Sequence, residues 1–160
     1  VVKINTVTAI KTIRDNLRTN LTDPYSTAGG TRGTGVQWIF YNEPISSPKY
    51  PIIELKKIDN PTTVLTIGSN YWEEEQIFVN IWFYTKNGFK ITVSGTDYLN
   101  ESLVEYYLGQ IKTTLKGEFN TLFDAGVKGY KAINTTKIEY DPATQLYFGA
   151  VTIRVRFFQQ

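Results

Sequence analysis

The 160-residue chain contains no His, no Cys and no Met. Without His or Cys it cannot build Ser–His–Asp or Cys–His catalysis, a zinc finger, a haem-ligating imidazole or a disulfide. Chemistry, if any, would rest on carboxylates, Lys, Tyr or Arg. The lack of Cys leaves the redox compartment open, and the lack of any Met, an initiator included, leads us to expect that Val1 follows processing or trimming. Long apolar runs are also missing: none approaches the roughly 18 to 20 residues that cross a bilayer. Lys3, Asn5, Lys11 and Arg14 interrupt the first segment, so it does not read as the apolar part of a signal peptide. An excess of one charge is absent too. Seventeen Lys and Arg against fifteen Asp and Glu leave +2. The isoelectric point of 8.7 and the scattered cations lack the basic stripe of a dedicated nucleic-acid binder. Lys56 with Lys57, and Arg154 with Arg156, read as solvated faces of strands.

What is present is a globular composition, 41% hydrophobic and 20% charged, of a length that suits one domain spanning residues 1–160. Aromatics make up 14%, with eleven Tyr, nine Phe and three Trp, residues that favour strands and interfaces. Val7, Ile10, Ile13 (or Arg14), Leu17 and Leu21 recur at helical spacing, with Asn5 or Thr6 able to cap them and the helix ending near Asp23–Pro24. Residues 26–35 hold four Gly in a small polar run and read as a flexible loop.

Strand spacing follows. Candidates are Val36 to Glu43, Ile52 to Ile58 and Thr62 to Ile67. In Glu75 to Lys86, Ile77, Val79, Ile81 and Phe83 take one face and Phe78, Asn80, Trp82 and Tyr84 the other. Both faces are largely apolar, which predicts a central strand. Asn87–Gly88 predicts a hairpin turn that returns Phe89 to Val93 as its partner. Leu103, Val104, Tyr107, Leu108, Ile111, Leu115, Phe119, Leu122 and Phe123 predict one long helix from Asn100 to a stop at Gly126. Tyr130 to Ile138 and Leu146 to Phe158 predict a closing hairpin. The fold class is α+β: a mostly antiparallel sheet with an N-terminal helix and a long second helix packed on one face.

Three features invite chemistry. Glu73, Glu74 and Glu75 form a carboxylate run after Trp72, of the kind used for a divalent ion or glycoside hydrolysis. Successive strand residues point to opposite faces, however, so the run does not converge on one ion and reads as the solvated start of a strand. Gly29 to Gly35 has Gly-x-Gly and Gly-x-x-Gly spacings, but a helix precedes it, a strand follows it and no Gly-Lys-Ser/Thr closes it, unlike a phosphate loop. Exposed aromatics stack on bases or sugars in some binding modules. Here Trp38, Phe40, Trp82 and Tyr84 lack basic neighbours on their own strand face. Core packing accounts for most of them and an oligomer interface for the surplus.

An amphipathic helix, a flexible loop, a strand reached through Pro48-Lys-Tyr-Pro-Ile-Ile-Glu54, the Glu74 to Tyr84 strand, the Asn87–Gly88 turn, a long helix and a closing hairpin follow in order over nearly the whole chain. This succession resembles the tail terminator or neck proteins of long-tailed phages and related viruses. The resemblance implies a non-enzymatic virion subunit, assembled in the host cytoplasm, that closes into a ring, usually hexameric. The ring would cap the tail tube and join it to the head connector. It implies self, tail tube protein and connector as partners, with no cofactor, no metal, no membrane and no specific nucleic-acid binding. The expected contact residues are Arg32, Trp38, Trp72, Glu73, Glu74, Glu75, Arg154 and Arg156, with Arg and Glu pairing between subunits. The competing reading is a module that binds carbohydrate or single-stranded nucleic acid through exposed aromatics, distinguished by fluorescence titration and by steep salt dependence for DNA. A carboxylate hydrolase using Glu73 to Glu75 comes third.

Overall fold

The computed structural model describes residues 2–58, 63–67 and 72–158. The first helix, α1 (Thr6–Asn20), begins where the Asn5 side chain accepts a hydrogen bond from the Thr8 backbone N–H at 2.8 Å, satisfying a donor the helix leaves open. Ala9, Ile10, Ile13 and Leu17 form its buried stripe, while Val7, expected on that stripe, is exposed. A single turn, α2 (Pro24–Thr27), follows, capped by Asp23. The strands are β1 (Ile39–Phe40), β2 (Ile52–Lys57), β3 (Thr63–Ile67), β4 (Trp72–Lys86), β5 (Lys90–Val93) and β6 (Thr96–Leu99). The helices α3 (Asn100–Gly117) and α4 (Phe119–Asp124) precede β7 (Val127–Thr135), β8 (Glu139–Asp141) and β9 (Leu146–Phe158).

Seven strands make one sheet in the order β1-β2-β4-β9-β7, with β3 also on β4 and β8 also on β9. Its spine is the β4–β9 ladder, antiparallel from Glu74 opposite Phe158 to Lys86 opposite Leu146. The β1–β2 pair is parallel and the rest are antiparallel. This is the expected α+β class with β4 in the middle. Ile77, Val79, Ile81 and Phe83 of β4 and Val151, Ile153, Val155 and Phe157 of β9 lie on the inner face, all buried. The helices cover that face. Tyr107 of α3 stacks on Phe83, and Val104 and Leu108 sit so close to Gly149 of β9 that an added Cβ there would lie 3.3 Å from each.

Four expectations need correction. Phe89 to Val93 does not pair with β4. At its Lys86 end β4 already has β9 on one edge, and β2 holds Tyr84 opposite Ile52 on the other. With both edges filled, β5 folds back on β6 instead, through a turn in which Ser94 and Gly95 both have positive φ, the geometry a two-residue hairpin needs. Gly88 donates its N–H to Asn100 Oδ1 at 2.9 Å, tying the turn after β4 to the start of α3.

The long helix is two helices. Glu118 leaves helical geometry between α3 and α4, after Gly117, a residue of low helix propensity. The reoriented turn buries Leu122 and leaves Phe119 and Phe123, expected on the apolar face, 43% and 44% exposed. Strand geometry in Val36 to Glu43 is confined to Ile39 and Phe40. Asn42 adopts a positive φ, and Arg18 takes the Ile39 carbonyl as acceptor at 2.9 Å from its Nε. The closing hairpin is interrupted, since β7 stops at Thr135 and the separate β8 pairs with the start of β9.

Candidate assembly surface

The alternation that buries Phe83 sends Trp82 and Tyr84 to the outer face, away from the helices. The ladder register then brings distant residues beside them. Tyr84 lies opposite Phe148 and Ile52, and Trp82 opposite Ala150 and Glu54. Trp82, Tyr84 and Phe148 form a triangle with ring centroids 6.2, 6.1 and 5.9 Å apart, inside the range of favourable aromatic contacts. All three are half-buried. They shield one another, and among the described residues no helix lies on this side to complete their burial.

Tyr50 and Glu54 border this cluster. Burial first, then the nearby Glu54 carboxylate and Tyr50, push the Tyr84 hydroxyl from its ordinary 10.0 up to about 12. The Tyr50 hydroxyl is raised for the same two leading reasons, burial and then Glu54. A raised phenol keeps its proton in the folded state after the unfolded chain has lost it. Its contribution to stability is therefore complete below pH 10 and disappears as pH climbs from about 10 to 12. Tyr84→Phe is expected to flatten the alkaline fall in stability over that window, read from denaturation midpoints measured in steps of pH. An unchanged slope would show that Tyr84 ionises as freely folded as unfolded.

Farther along the same face the character turns cationic. Arg154 lies opposite Phe78 of β4 and Lys131 of β7, and Arg156 opposite Gln76 and Gly129. Arg156 Nε lies 3.1 Å from Glu74 Oε1. The pair is a charge contact and not an aligned hydrogen bond, because that oxygen has no hydrogen-bond donor. Glu75, one residue on, points to the inner face and accepts from Thr6 Oγ1 at 3.0 Å. The carboxylate run thus splits across the sheet, as the strand period requires.

These positions revise the expected contact set. Arg32 is not on a free surface: its side chain is 2% exposed. Its Nε donates to Asp23 Oδ2 at 2.6 Å, and its two terminal nitrogens donate to the carbonyls of Lys49 and Pro51. The guanidinium also lies over the rings of Tyr25 and Trp38, 4.7 and 5.6 Å from their centroids. Trp38 is buried as well, edge-on to Tyr107 at 5.9 Å. The glycine-rich segment is therefore pinned by the one long side chain within it. Arg156 and Glu74, expected to pair between subunits, already lie in charge contact inside one chain. Trp72 and Glu73 open β4 opposite Ile67 and Thr66, and their side chains lie outside the described residues. Arg154 and Arg156 do share the outer face. Trp82, Tyr84 and Phe148, farther along that face, are absent from the expected contact set because core packing also explains a strand that is apolar on both sides.

Among the described residues no group of three or more ligand-type side chains is placed to hold a metal ion, and no helix is long and apolar enough to cross a membrane. No protein-family model matches the sequence, and no curated protein matches it. Among solved structures the chain is similar to one from the virion of a native gene transfer agent particle, with a TM-score of 0.43 and 13% identity over 91% of each chain.

Proposed function

We propose that this chain is a virion structural protein, a tail-terminator-like subunit that works by assembly and not by catalysis. In this reading several copies, six in the expected ring, close on top of a tail tube and present a surface to the head connector. The observation that carries the reading is the outer sheet face. Trp82, Tyr84 and Phe148 stand together there, only half-buried, with Arg154 and Arg156 farther along. Clustered aromatics, and Arg, are the residues that dominate protein contact energetics. A ring also requires heterologous contacts, one patch meeting a different patch on the next copy, and an aromatic end and a cationic end on one sheet face provide two unlike patches. Of the elements behind the sequence resemblance, the N-terminal helix and the β4 strand support the reading, while the Asn87–Gly88 hairpin and the single long helix do not hold.

The test is native mass, measured for the protein alone and mixed with tail tube protein. A closed oligomer of defined mass is expected, and a strict monomer at high concentration with no affinity for tube overturns the proposal. Trp82→Ala is expected to leave the fold intact and weaken assembly about tenfold or more. Undiminished assembly would remove the aromatic face from the contact.

A further inference from the structure

The solvent-open flank of α3 that borders Thr135, Thr136 and Ile138 carries Glu101, Glu105, Gly109, Lys112 and Lys116, spaced four, four, three and four residues apart. At about 100° per residue these fall within an arc of roughly 80°, a single stripe. The four charged residues are exposed, and none belongs to an ion pair among the described residues. Lys112 reaches only a hydroxyl, Thr135 Oγ1, at 3.3 Å. The like-charged neighbours at i and i+4 disfavour the helix slightly. Attraction to the helix dipole rewards such charges only in the first and last turns, and Glu105 and Lys112 lie inside both.

Gly109 adds a second, independent observation. A Cβ built there would meet nothing within 4 Å, so no neighbour among the described residues demands glycine, although glycine inside a helix costs about 1 kcal/mol relative to Ala. The stripe is self-complementary when reversed. Turning a second α3 end for end places Glu101 opposite Lys116 and Glu105 opposite Lys112, twice over, with the two-fold axis between Leu108 and Gly109. Of the stripe's residues the one nearest the axis is then the one without a side chain, since Leu108 is buried toward the core, which lets the helices approach closely.

We propose that α3 pairs antiparallel with α3 of a second copy of this chain about a two-fold axis beside Gly109. The contact is isologous, so it is separate from the head-to-tail contacts of a ring and would join two free subunits or two rings back to back. It stands or falls independently of the ring.

The chain has no Cys, so Gly109→Cys introduces a single thiol. Facing helices that meet at that residue bring the two Cα atoms to the roughly 4.4 to 6.8 Å a disulfide spans. Under mild oxidation Gly109→Cys is expected to form covalent dimer at concentrations where Lys11→Cys, exposed on α1, stays monomeric. Glu105→Lys and Lys112→Glu are each expected to weaken dimerisation about tenfold or more by sedimentation equilibrium, because the symmetry doubles each lost pair. The double variant Glu105→Lys/Lys112→Glu, with its pairs reversed, is expected to recover most of the loss. Cross-linking no faster than in Lys11→Cys, or a double variant no better than the single ones, overturns the proposal and leaves a ring closed by other surfaces untouched.

Discussion

Arg32→Ala is expected to lower the unfolding free energy by about 3–5 kcal/mol, the range found when one partner of a buried ion pair is removed. The reason lies in how completely the guanidinium is used. Nε serves Asp23, one terminal nitrogen serves the Lys49 carbonyl and the other serves the Pro51 carbonyl, while Tyr25 and Trp38 lie against it. Truncation strands a carboxylate and two carbonyls, and a lost partner costs more than the bond itself is worth. It also releases the segment that joins α2 to β1 from the segment that leads into β2. Arg32→Lys is expected to recover less than half of the loss, since an ammonium cannot reach three acceptors spread around a planar fork. Chemical denaturation of the three proteins at neutral pH decides the matter, with midpoints compared at constant slope. A loss below about 1 kcal/mol for Arg32→Ala would mean that water replaces the guanidinium without difficulty, in conflict with its burial.

The same residue shows where sequence reasoning stops. Four glycines among small polar residues signal a segment with nothing to bury, and composition alone does not reveal that one Arg in it reaches three acceptors. Two of those acceptors come from a stretch some twenty residues on, and only the tertiary fold brings them close. Elements set by local periodicity were legible: α1 from its apolar spacing, β4 from its alternation, and the central position of β4 from its two apolar faces. Pairing was not. The Asn87–Gly88 turn is a sound hairpin signal, yet it fails here because β2 and β9 occupy both edges of β4. The candidate surface falls between these cases. Trp82 and Tyr84 were visible as the second face of β4, but only the register that puts Phe148 opposite Tyr84 turns two side chains into a cluster.

Phe83→Ala is expected to cost about 3–5 kcal/mol, as large aromatic truncations in packed cores do. Phe83 is fully buried and lies parallel to the Tyr107 ring, with centroids 4.7 Å apart and planes 4° from each other. Tyr107 in turn meets Trp38 edge-on and donates its hydroxyl proton to the Thr22 carbonyl at 2.8 Å. One stack thus joins β4, α3, the approach to β1 and the end of α1, and removing its base opens a cavity that four segments would have to move together to close. Tyr107→Phe keeps the stack and loses only the hydroxyl, so its expected cost is smaller, about 1–3 kcal/mol for a carbonyl left without its donor. Trp82 is the informative neighbour. It is adjacent in sequence and larger, yet it faces outward, so Trp82→Ala is expected to destabilise the isolated chain less than Phe83→Ala while weakening assembly more. Denaturation midpoints together with native mass for the two variants test both halves at once. Equal stability losses would contradict the division of β4 into a core face and a contact face, and with it the argument that an aromatic-rich strand serves folding on one side and association on the other.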